Sequence, residues 1–258
     1  MSRHYAGESL MADATMASVH SWDLSTGVDG PGTRFVLFLS GCPLRCLYCQ
    51  NPDTWHMRDG KRMTLDEVLA EVDRYRRFLQ VAHGGVTVSG GEPLLQSEFV
   101  TALFSACRDR DLPTALDTSG NLGVRADQEL LSVTDLVLLD IKSFDPVTYR
   151  RLTGDRVEPT LAFARRLAEV GQRMWIRFVL VPGVTDQPEN VAGLADFVAT
   201  LGSAVERVEV LPFHKLGEVK YEALRKPFPL AATPSPSPAQ VAAVCSQFER
   251  RKLPVLSA

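Results

Sequence analysis

Short apolar segments of strand length alternate with longer segments of helical periodicity from residue 34 to the last part of the chain. The apolar segments are rich in Val, Leu, Ile and Phe, and they cover residues 34–40, 85–91, 114–120, 135–142, 174–183 and 207–214. Continuous apolar runs of this length are typical of strands that are buried on both faces of a parallel sheet. The pattern therefore predicts six parallel strands.

The segments between the strands predict helices with recognisable ends. Thr64 and Glu67 form a capping-box pair at the start of a helix over residues 64–80. Three further helices are predicted over residues 160–171, 190–202 and 238–251, the second of them beginning at Asn190. Repeated strand–helix units require right-handed crossovers and hence a parallel α/β sheet.

Six strand–helix units are compatible with two architectures, a doubly wound sheet and an incomplete (β/α) barrel. No G-x-G-x-x-G sequence follows the first strand, which argues against a dinucleotide-binding sheet. The proline-rich segment 227–238 predicts a connector before the last helix and not a domain boundary. Residues 1–20 are polar and lack the apolar segment of a signal peptide, so we expect a flexible extension followed by one core domain over residues 21–258.

Charge, hydropathy and cysteine content argue against a nucleic-acid-binding, membrane-spanning or secreted protein. The chain has 258 residues, a formal net charge of −3 and five cysteines. This charge argues against nucleic acid binding, and no apolar run approaches the about 20 residues that a membrane-spanning helix needs. An odd number of cysteines, three of them clustered, differs from the disulfide framework of a secreted protein. We therefore expect a cytoplasmic protein that binds neither nucleic acid nor membrane.

Polar residues and glycines occur at the carboxyl ends of the predicted strands, where parallel α/β folds build their sites. In chain order they are Gly90, Gly91, Glu92, Asp117, Ser119, Asp140, Lys142, Arg177 and His214. Strand alternation places Asp140 and Lys142 on one face and Ile141 on the other. Opposite charges at the end of a strand that is otherwise fit for burial indicate a functional site.

Three cysteines, Cys42, Cys46 and Cys49, lie in one loop after the first strand. A structural zinc site needs four protein ligands, and His56 could supply the fourth. An iron–sulfur cube normally takes four thiolates, so three would leave one iron open to another ligand. Cys107 and Cys245 lie on apolar helix faces and are predicted to be small core residues.

The segment CPLRCLYC, residues 42–49, fits C-x3-C-x2-C with an aromatic residue before the last cysteine. It resembles the signature of the radical S-adenosylmethionine (SAM) enzymes. Other segments, before and after this motif, occur in the order seen in the pyruvate formate-lyase-activating enzymes. The resemblance extends over residues 20–256. These segments are VDGPG (28–32), GGVTVSGGEPLLQ (84–96), LDTSG (116–120), TDLVLLDIK (134–142), WIRFVLVPG (175–183) and LPFHKLG (211–217).

The resemblance implies an α/β fold, an incomplete (β/α)6 TIM-like barrel with parallel strands, as a radical SAM core domain over residues 21–258. Cys42, Cys46 and Cys49 would ligate three irons of a [4Fe–4S] cluster, and the amino and carboxylate groups of SAM would chelate the fourth. One electron passed to the sulfonium would give methionine and a 5′-deoxyadenosyl radical. That radical would take a hydrogen from the α-carbon of a glycine in a partner, a glycyl radical enzyme of the pyruvate formate-lyase type.

The resemblance also implies roles for individual residues in binding SAM. The cofactor-binding set would be Tyr48, Cys49, Gln50, Gly90, Gly91, Glu92, Asp117, Ser119, Asp140, Ile141, Lys142, Arg177 and His214. Asp117 and Asp140 near the SAM carboxylate would call for an offsetting charge, so a bound monovalent cation is expected. The partner's glycine loop would dock at Asp29 and Gly30.

Two departures from the family pattern and the absence of inserted cysteines bear on the partner. Gln50 stands where His is usual, and Pro93 where Ala is frequent among the closest relatives. Residues 50–84 lack the cysteine-rich insertion of many other activating enzymes, which favours the formate-lyase type.

The sequence also predicts a docking face for an electron donor and leaves two alternative functions open. Residues 58–63 with Arg74, Arg76 and Arg77 predict a basic face for an acidic flavodoxin or ferredoxin, and we expect a monomer. One alternative is a radical SAM enzyme that acts on a small molecule. The other is a zinc-binding Cys3His interaction module.

Overall fold

The computed structural model describes residues 16–257, and no helix in this range is long and apolar enough to cross a membrane. The strands are β1 (Met16–Thr26), β2 (Thr33–Leu39), β3 (Lys61–Thr64), β4 (Gly85–Gly90), β5 (Thr114–Thr118), β6 (Leu136–Asp140), β7 (Met174–Leu180), β8 (Val205–Pro212) and β9 (Val255–Ser257). The α-helices are α1 (Leu65–Val81), α2 (Ser97–Arg108), α3 (Gln128–Ser132), α4 (Pro146–Thr153), α5 (Glu158–Glu169), α6 (Pro188–Ala199), α7 (Glu218–Ala223) and α8 (Pro238–Glu249).

The chain divides into two compact units, each made of several chain segments. The first contains residues 16–42, 54–117 and 125–136, with strand order β3-β1-β2-β4-β5. Strand β1 is antiparallel to both of its neighbours, whereas β2, β4 and β5 are parallel. Its core is apolar and buried, and Phe35 and Leu37 of β2 and Phe99 and Leu103 of α2 are all at or below 1% exposure.

The second unit contains residues 43–53, 118–124 and 137–257. Its strands follow the order β6-β7-β8-β9, and all of them are parallel. Helices α4 to α6 and α8 connect or cover these strands, which gives the right-handed strand–helix pattern expected of an α/β fold. In neither unit does the first strand pair with the last, so neither sheet closes on itself.

The six predicted strands correspond to β2 and β4 to β8, whereas β1, β3 and β9 were not predicted. Strand β1 alternates poorly because its second half is exposed and a bulge interrupts its pairing between Val19 and Ser21. Residues 16–20, which the sequence analysis assigned to the flexible extension, therefore lie in a strand. Residues 1–15 of that extension lie outside the described residues, and a single core domain over residues 21–258 stays a prediction.

Helix α1 confirms the predicted capping box, in which Thr64 and Glu67 satisfy each other's backbone N–H groups. The prediction that a helix begins at Asn190 is wrong. Helix α6 begins two residues earlier, at Pro188, because proline is well suited to the first helical turn. Of the two cysteines predicted to lie in the core, Cys107 is buried and Cys245 is half-buried.

Asn190 instead holds the loop that follows β6. Its Oδ1 accepts hydrogen bonds from Ser143 Oγ at 2.8 Å and from the backbone N–H groups of Phe144 and Asp145 at 2.9 Å. Its Nδ2 donates to the carbonyl of Thr185 at 2.8 Å, and the residue is only 4% exposed. One buried amide thus fixes the chain immediately after Asp140 and Lys142.

We predict that Asn190→Ala lowers the free energy of unfolding by about 3 kcal/mol, because several buried donors lose their acceptor. Urea unfolding followed by circular dichroism measures this change. The matched control is Glu189→Ala, which removes an exposed side chain of the same helical turn and should change stability by less than about 0.5 kcal/mol. Equal effects of the two substitutions would contradict the assigned role of Asn190.

Candidate functional site

The second half of the cysteine loop is attached by its backbone to the end of α4. The Arg45 N–H donates to the carbonyl of Thr153 at 2.8 Å, and the Leu47 N–H donates to the carbonyl of Leu152 at 2.9 Å. These two bonds flank Cys46 on both sides. The loop then turns back on itself through the hydrogen bond from Cys49 N to Cys46 O at 3.1 Å.

A buried ion pair lies at the carboxyl end of β6, close to this loop. Lys142 Nζ is 2.7 Å from Asp140 Oδ2, and both side chains are less than one-fifth exposed. The same ammonium lies 5.7 Å from the centre of the Tyr48 ring, within cation–π range. Burial lowers the pKa of Lys142, but the adjacent Asp140 carboxylate acts in the opposite direction and the net shift is upward, so the lysine is charged.

The Cys46 thiol is held in its neutral form in this setting. Burial raises its pKa to about 11, although the nearby Lys142 ammonium acts in the opposite direction. Burial likewise raises the pKa of the Tyr48 phenol well above its usual value. The Tyr48 hydroxyl is buried, and no residue in the described range 16–257 offers it a hydrogen bond.

Gln50 connects the cysteine loop to the loop after β8. Its Oε1 accepts from the Gly217 N–H at 2.7 Å, while its Nε2 donates to the carbonyls of Tyr48 at 3.1 Å and His214 at 3.2 Å. The amide therefore fixes the backbone at His214, another residue assigned to the site. Gln50 was predicted to be a cofactor-binding residue and noted as a departure from the family pattern, but this structural role was not predicted.

Arg177 lies in register between two acidic residues of neighbouring strands, Asp140 of β6 and Glu209 of β8. Its Nε is 3.8 Å from Glu209 Oε2, and Glu209 is only 2% exposed. Burial raises the pKa of Glu209, while Arg177 and Arg207 act in the opposite direction. The sequence analysis missed Glu209, although an acidic residue inside the apolar segment 207–214 was a signal that could have revealed it.

Two other predicted residues of this unit make backbone interactions. The Ile141 N–H donates to the carbonyl of Arg177 at 3.0 Å, which extends the pairing of β6 with β7. Ser119 Oγ accepts from the Asn121 N–H at 3.3 Å, and the Ser119 carbonyl accepts from Thr160 Oγ1 at 2.8 Å. The structure thus brings Cys46, Tyr48, Asp140 and Lys142 together, and it links Gln50 to His214.

In the other unit, Gly90 and Gly91 are required by the backbone itself. Gly90 has φ of +117°, and a Cβ on it would lie 2.3 Å from Leu39 N. A Cβ on Gly91 would lie 2.1 Å from the carbonyl oxygen of Gly41, next to Cys42. The two glycines therefore permit close packing of the strand end against the start of the cysteine loop.

Glu92 and Asp117 have hydrogen-bond partners within this unit. Glu92 is 1% exposed, and its Oε1 accepts from the Leu94 N–H at 3.2 Å at the start of a 3₁₀ turn. Asp117 Oδ2 accepts from Ser89 Oγ at 2.6 Å. The expected contacts of these carboxylates with SAM or with a monovalent cation stay predictions.

The segment with Asp29 and Gly30 is held by a buried arginine that the sequence analysis missed. Arg34 is 1% exposed and donates from Nε to Thr87 Oγ1 at 2.9 Å, and Thr87 Oγ1 in turn donates to the carbonyl of Asp29 at 2.7 Å. Burial lowers the pKa of Arg34 to about 10. Gly30 has φ of +118° and lies directly over this side chain.

The thiols do not form a closed metal site in this conformation. Cys42, Cys46 and Cys49 form no disulfide and are half-buried. Between residues 16 and 257, no group of three or more His, Cys, Asp or Glu side chains is arranged to hold a metal ion. The donor chemistry, three cysteine thiols within eight residues of one loop, fits a thiolate-ligated group.

The basic face predicted for an electron donor is largely neutralised by acidic neighbours. Arg74 Nη1 is 2.9 Å from Glu71 Oε2, and Arg58 Nε is 3.7 Å from Asp59 Oδ1. Arg76 donates from Nε to the carbonyl of Arg110 at 3.0 Å. These pairings weaken the case for this face as a docking surface.

Comparison with known proteins gives consistent matches. The model of the Radical SAM superfamily matches residues 36–195. The pyruvate formate-lyase 1-activating enzyme of Escherichia coli (strain K12) is 42% identical over 226 residues, which covers 86% of this chain and 91% of that protein. The pyruvate formate-lyase-activating enzyme of Streptococcus mutans is 43% identical over 232 residues, covering 86% of this chain and 87% of that protein.

A solved structure agrees with these matches. A domain of the pyruvate-formate lyase-activating enzyme from Bacteroides vulgatus superposes with a TM-score of 0.58 and 26% identity, covering 68% of this chain and 99% of that one. The predicted fold class, an incomplete (β/α)6 TIM-like barrel with parallel strands, is confirmed.

Gln50→Ala is expected to speed hydrogen exchange of the Gly217 amide by at least about tenfold, because its acceptor is lost. Exchange mass spectrometry or NMR measures this rate. The Leu224 amide, which donates to the Lys220 carbonyl within α7, serves as an internal control and should keep its rate. Unchanged exchange at Gly217 would show that the bridge does not persist in solution.

The raised pKa of Cys46 predicts a pH dependence in protein prepared without iron. Alkylation of Cys46 by iodoacetamide should accelerate about tenfold per pH unit from pH 8 to pH 10, because only the thiolate reacts. In urea the rate should level off above about pH 9, near the ordinary thiol pKa. Because folding favours the neutral thiol, stability should fall as pH rises from the unfolded pKa towards about 11. A plateau near pH 8 in the folded protein would contradict the burial argument.

Proposed function

This chain belongs to the radical SAM superfamily and, within it, to the pyruvate formate-lyase-activating enzymes, and from that premise we propose how its own residues serve the reaction. The chain is an oxidoreductase that activates a glycyl radical enzyme by reductive cleavage of SAM. Its cofactors are a [4Fe–4S] cluster and SAM. Membership argues against the zinc-binding module, because the family's metal group is an iron–sulfur cluster.

The half-buried cysteine loop is the observation that carries the residue assignment. Cys42, Cys46 and Cys49 ligate three irons, which leaves the fourth open to the amino and carboxylate groups of SAM. Burial keeps the Cys46 thiol neutral, so a bound iron would have to displace its proton, and cluster assembly should therefore release protons and depend on pH. The cluster, when bound, supplies the electron that cleaves SAM.

The residues around the loop hold SAM. Tyr48 offers a buried ring and a hydroxyl that finds no partner among residues 16–257, as expected for a group that contacts a ligand. Lys142 supplies a charged donor for a carboxylate, and Asp140 keeps it in place. Gln50 donates a hydrogen bond to the backbone carbonyl of His214. This bond links His214, the proposed nucleoside contact, to the cysteine loop.

The remaining predicted residues keep their proposed roles. These are Gly90, Gly91, Glu92, Asp117, Ser119, Ile141 and Arg177 for SAM. A monovalent cation at Asp117 or Asp140 is tested by metal analysis of desalted, SAM-loaded protein, and no bound ion would refute it. The chain acts as a monomer in the cytoplasm and receives its electron from a flavodoxin or ferredoxin.

The partner is a glycyl radical enzyme of the pyruvate formate-lyase type, and its glycine loop docks at Asp29 and Gly30. The turn that carries these residues is closed by a hydrogen bond from Gly27 N to Gly32 O at 3.1 Å. Arg34 and Thr87 stabilise the turn, because Arg34 donates to the Thr87 hydroxyl and this hydroxyl donates to the Asp29 carbonyl. The turn is exposed at Gly27 and Val28, half-buried at Asp29 and buried at Gly30. A rigid turn with an exposed edge of this kind suits recognition of an extended peptide segment.

The cysteine assignment predicts that Cys42→Ala, Cys46→Ala and Cys49→Ala each reduce SAM cleavage by at least about a hundredfold, since one iron ligand is lost. Cys245→Ala is the matched control, because this half-buried cysteine lies in α8 and should leave cleavage unchanged. Anaerobic reconstitution, iron and sulfide analysis and chromatography of 5′-deoxyadenosine measure these effects. Wild-type activity in any loop variant would overturn its assignment as a ligand.

The partner assignment predicts a glycyl radical signal in a pyruvate formate-lyase after incubation with this protein, SAM and dithionite. Electron paramagnetic resonance detects the signal, and a partner with its target glycine replaced by alanine is the control. Efficient SAM cleavage without a protein radical would instead favour the small-molecule alternative.

A further inference from the structure

An exposed cavity of about 530 Å³ lies beside α4 and the start of α5. We call it the arginine surface, and it is lined by Pro146, Val147, Arg150, Arg151, Arg156 and Glu158. It contains three cationic side chains and one anionic side chain, so its lining has a net positive charge.

The three arginines of this surface are available to a partner. All three are exposed, and within residues 16–257 their guanidinium groups form no ion pair and no hydrogen bond. The acidic residues between and before them are engaged with the backbone. Asp145 accepts from the Thr148 N–H, and Asp155 accepts from the Arg156 N–H, both at 2.7 Å. This contrasts with Arg74, which pairs with Glu71.

The arginine surface also offers apolar area at its centre. Val147 is 76% exposed and lies next to Pro146 in the cavity lining. Exposed apolar residues surrounded by arginines are typical of protein–protein interfaces, where arginine is enriched and the rim is polar. A small anion alone would leave the apolar part of the cavity unused.

Its position relative to the cysteine loop indicates the kind of partner. Arg150 and Arg151 immediately precede Leu152 and Thr153, whose carbonyls accept the hydrogen bonds from the loop residues on either side of Cys46. A protein docked on the arginine surface would therefore lie next to the backbone that holds a proposed cluster ligand. A short distance between a docked protein and the cluster speeds electron transfer between them. A partner that does not exchange electrons would gain nothing from this position.

We propose that the arginine surface is the docking site of a small acidic electron-carrier protein with a flavin or iron–sulfur centre. This inference rests on the proposed function, because it requires a reducible cluster at the cysteine loop. The carrier gives one electron to the cluster and is itself oxidised by one electron. Charge complementarity accelerates the encounter and makes it sensitive to salt.

The test compares charge reversal on this surface with matched changes elsewhere. The Arg150→Glu/Arg151→Glu double variant and Arg156→Glu are reconstituted with the cluster. They are then reduced in a stopped-flow instrument by the hydroquinone of a purified bacterial flavodoxin. We expect the second-order rate at low salt to fall at least about tenfold and to lose its salt dependence. Arg74→Glu is the control on the other basic face, and Glu158→Gln should raise the rate.

Reduction by dithionite separates docking from damage to the cluster. The reversed variants should be reduced by dithionite, cleave SAM and generate the glycyl radical at wild-type rates. Wild-type reduction by flavodoxin in the reversed variants would overturn the proposal. Equal losses of cluster reduction with flavodoxin and dithionite would also overturn it, because the substitutions would then have damaged the cluster or the fold.

The protein could accept electrons from a ferredoxin and not from a flavodoxin. The experiment is therefore repeated with a ferredoxin that carries [4Fe–4S] clusters. If neither carrier reduces the wild-type protein, the proposal fails. Failure of the proposed function gives a different result, since dithionite-reduced wild-type protein would then not cleave SAM at all.

Discussion

A buried ammonium group lies at the carboxyl end of β6, where Lys142 is 2.7 Å from Asp140 and only 12% exposed. A charge in such a place is tolerated only when it is paired, so the two residues must keep their geometry for the fold to be stable. The pair also sets the surroundings of the cysteine loop, since Lys142 lies over the Tyr48 ring and favours the thiolate of Cys46. Asn190 fixes the chain directly beyond it.

Two buried groups of the cysteine loop would respond differently to a bound ligand. Burial alone keeps the Cys46 thiol neutral and leaves the Tyr48 hydroxyl without a partner in residues 16–257. A bound polar ligand would give the Tyr48 hydroxyl a partner, whereas a metal cation at Cys46 would have to displace the thiol proton. Metal binding at this thiol is therefore expected to depend on pH.

Helix α4 serves two purposes through adjacent residues. Its last two residues anchor the cysteine loop, and the two residues before them supply arginines to an exposed, partly apolar cavity. Because one short, capped helix supports both features, a docked carrier would meet a rigid surface whose relation to the loop is fixed. Gln50 gives the loop a second attachment, to the segment with His214 and Gly217.

The sequence by itself determined the six parallel strands, the capping box at Thr64 and the cysteine motif, because periodicity, caps and ligand spacing are local patterns. Only the tertiary structure decided which polar groups meet. Gln50 bonds Gly217 across 167 residues, Arg34 reaches Thr87, and Glu209 lies against Arg177 on the next strand. Strand β1 also needed its two neighbours, because half of it is exposed and lacks alternation. Such contacts depend on distances of about 3 Å between remote residues, and no local pattern encodes them.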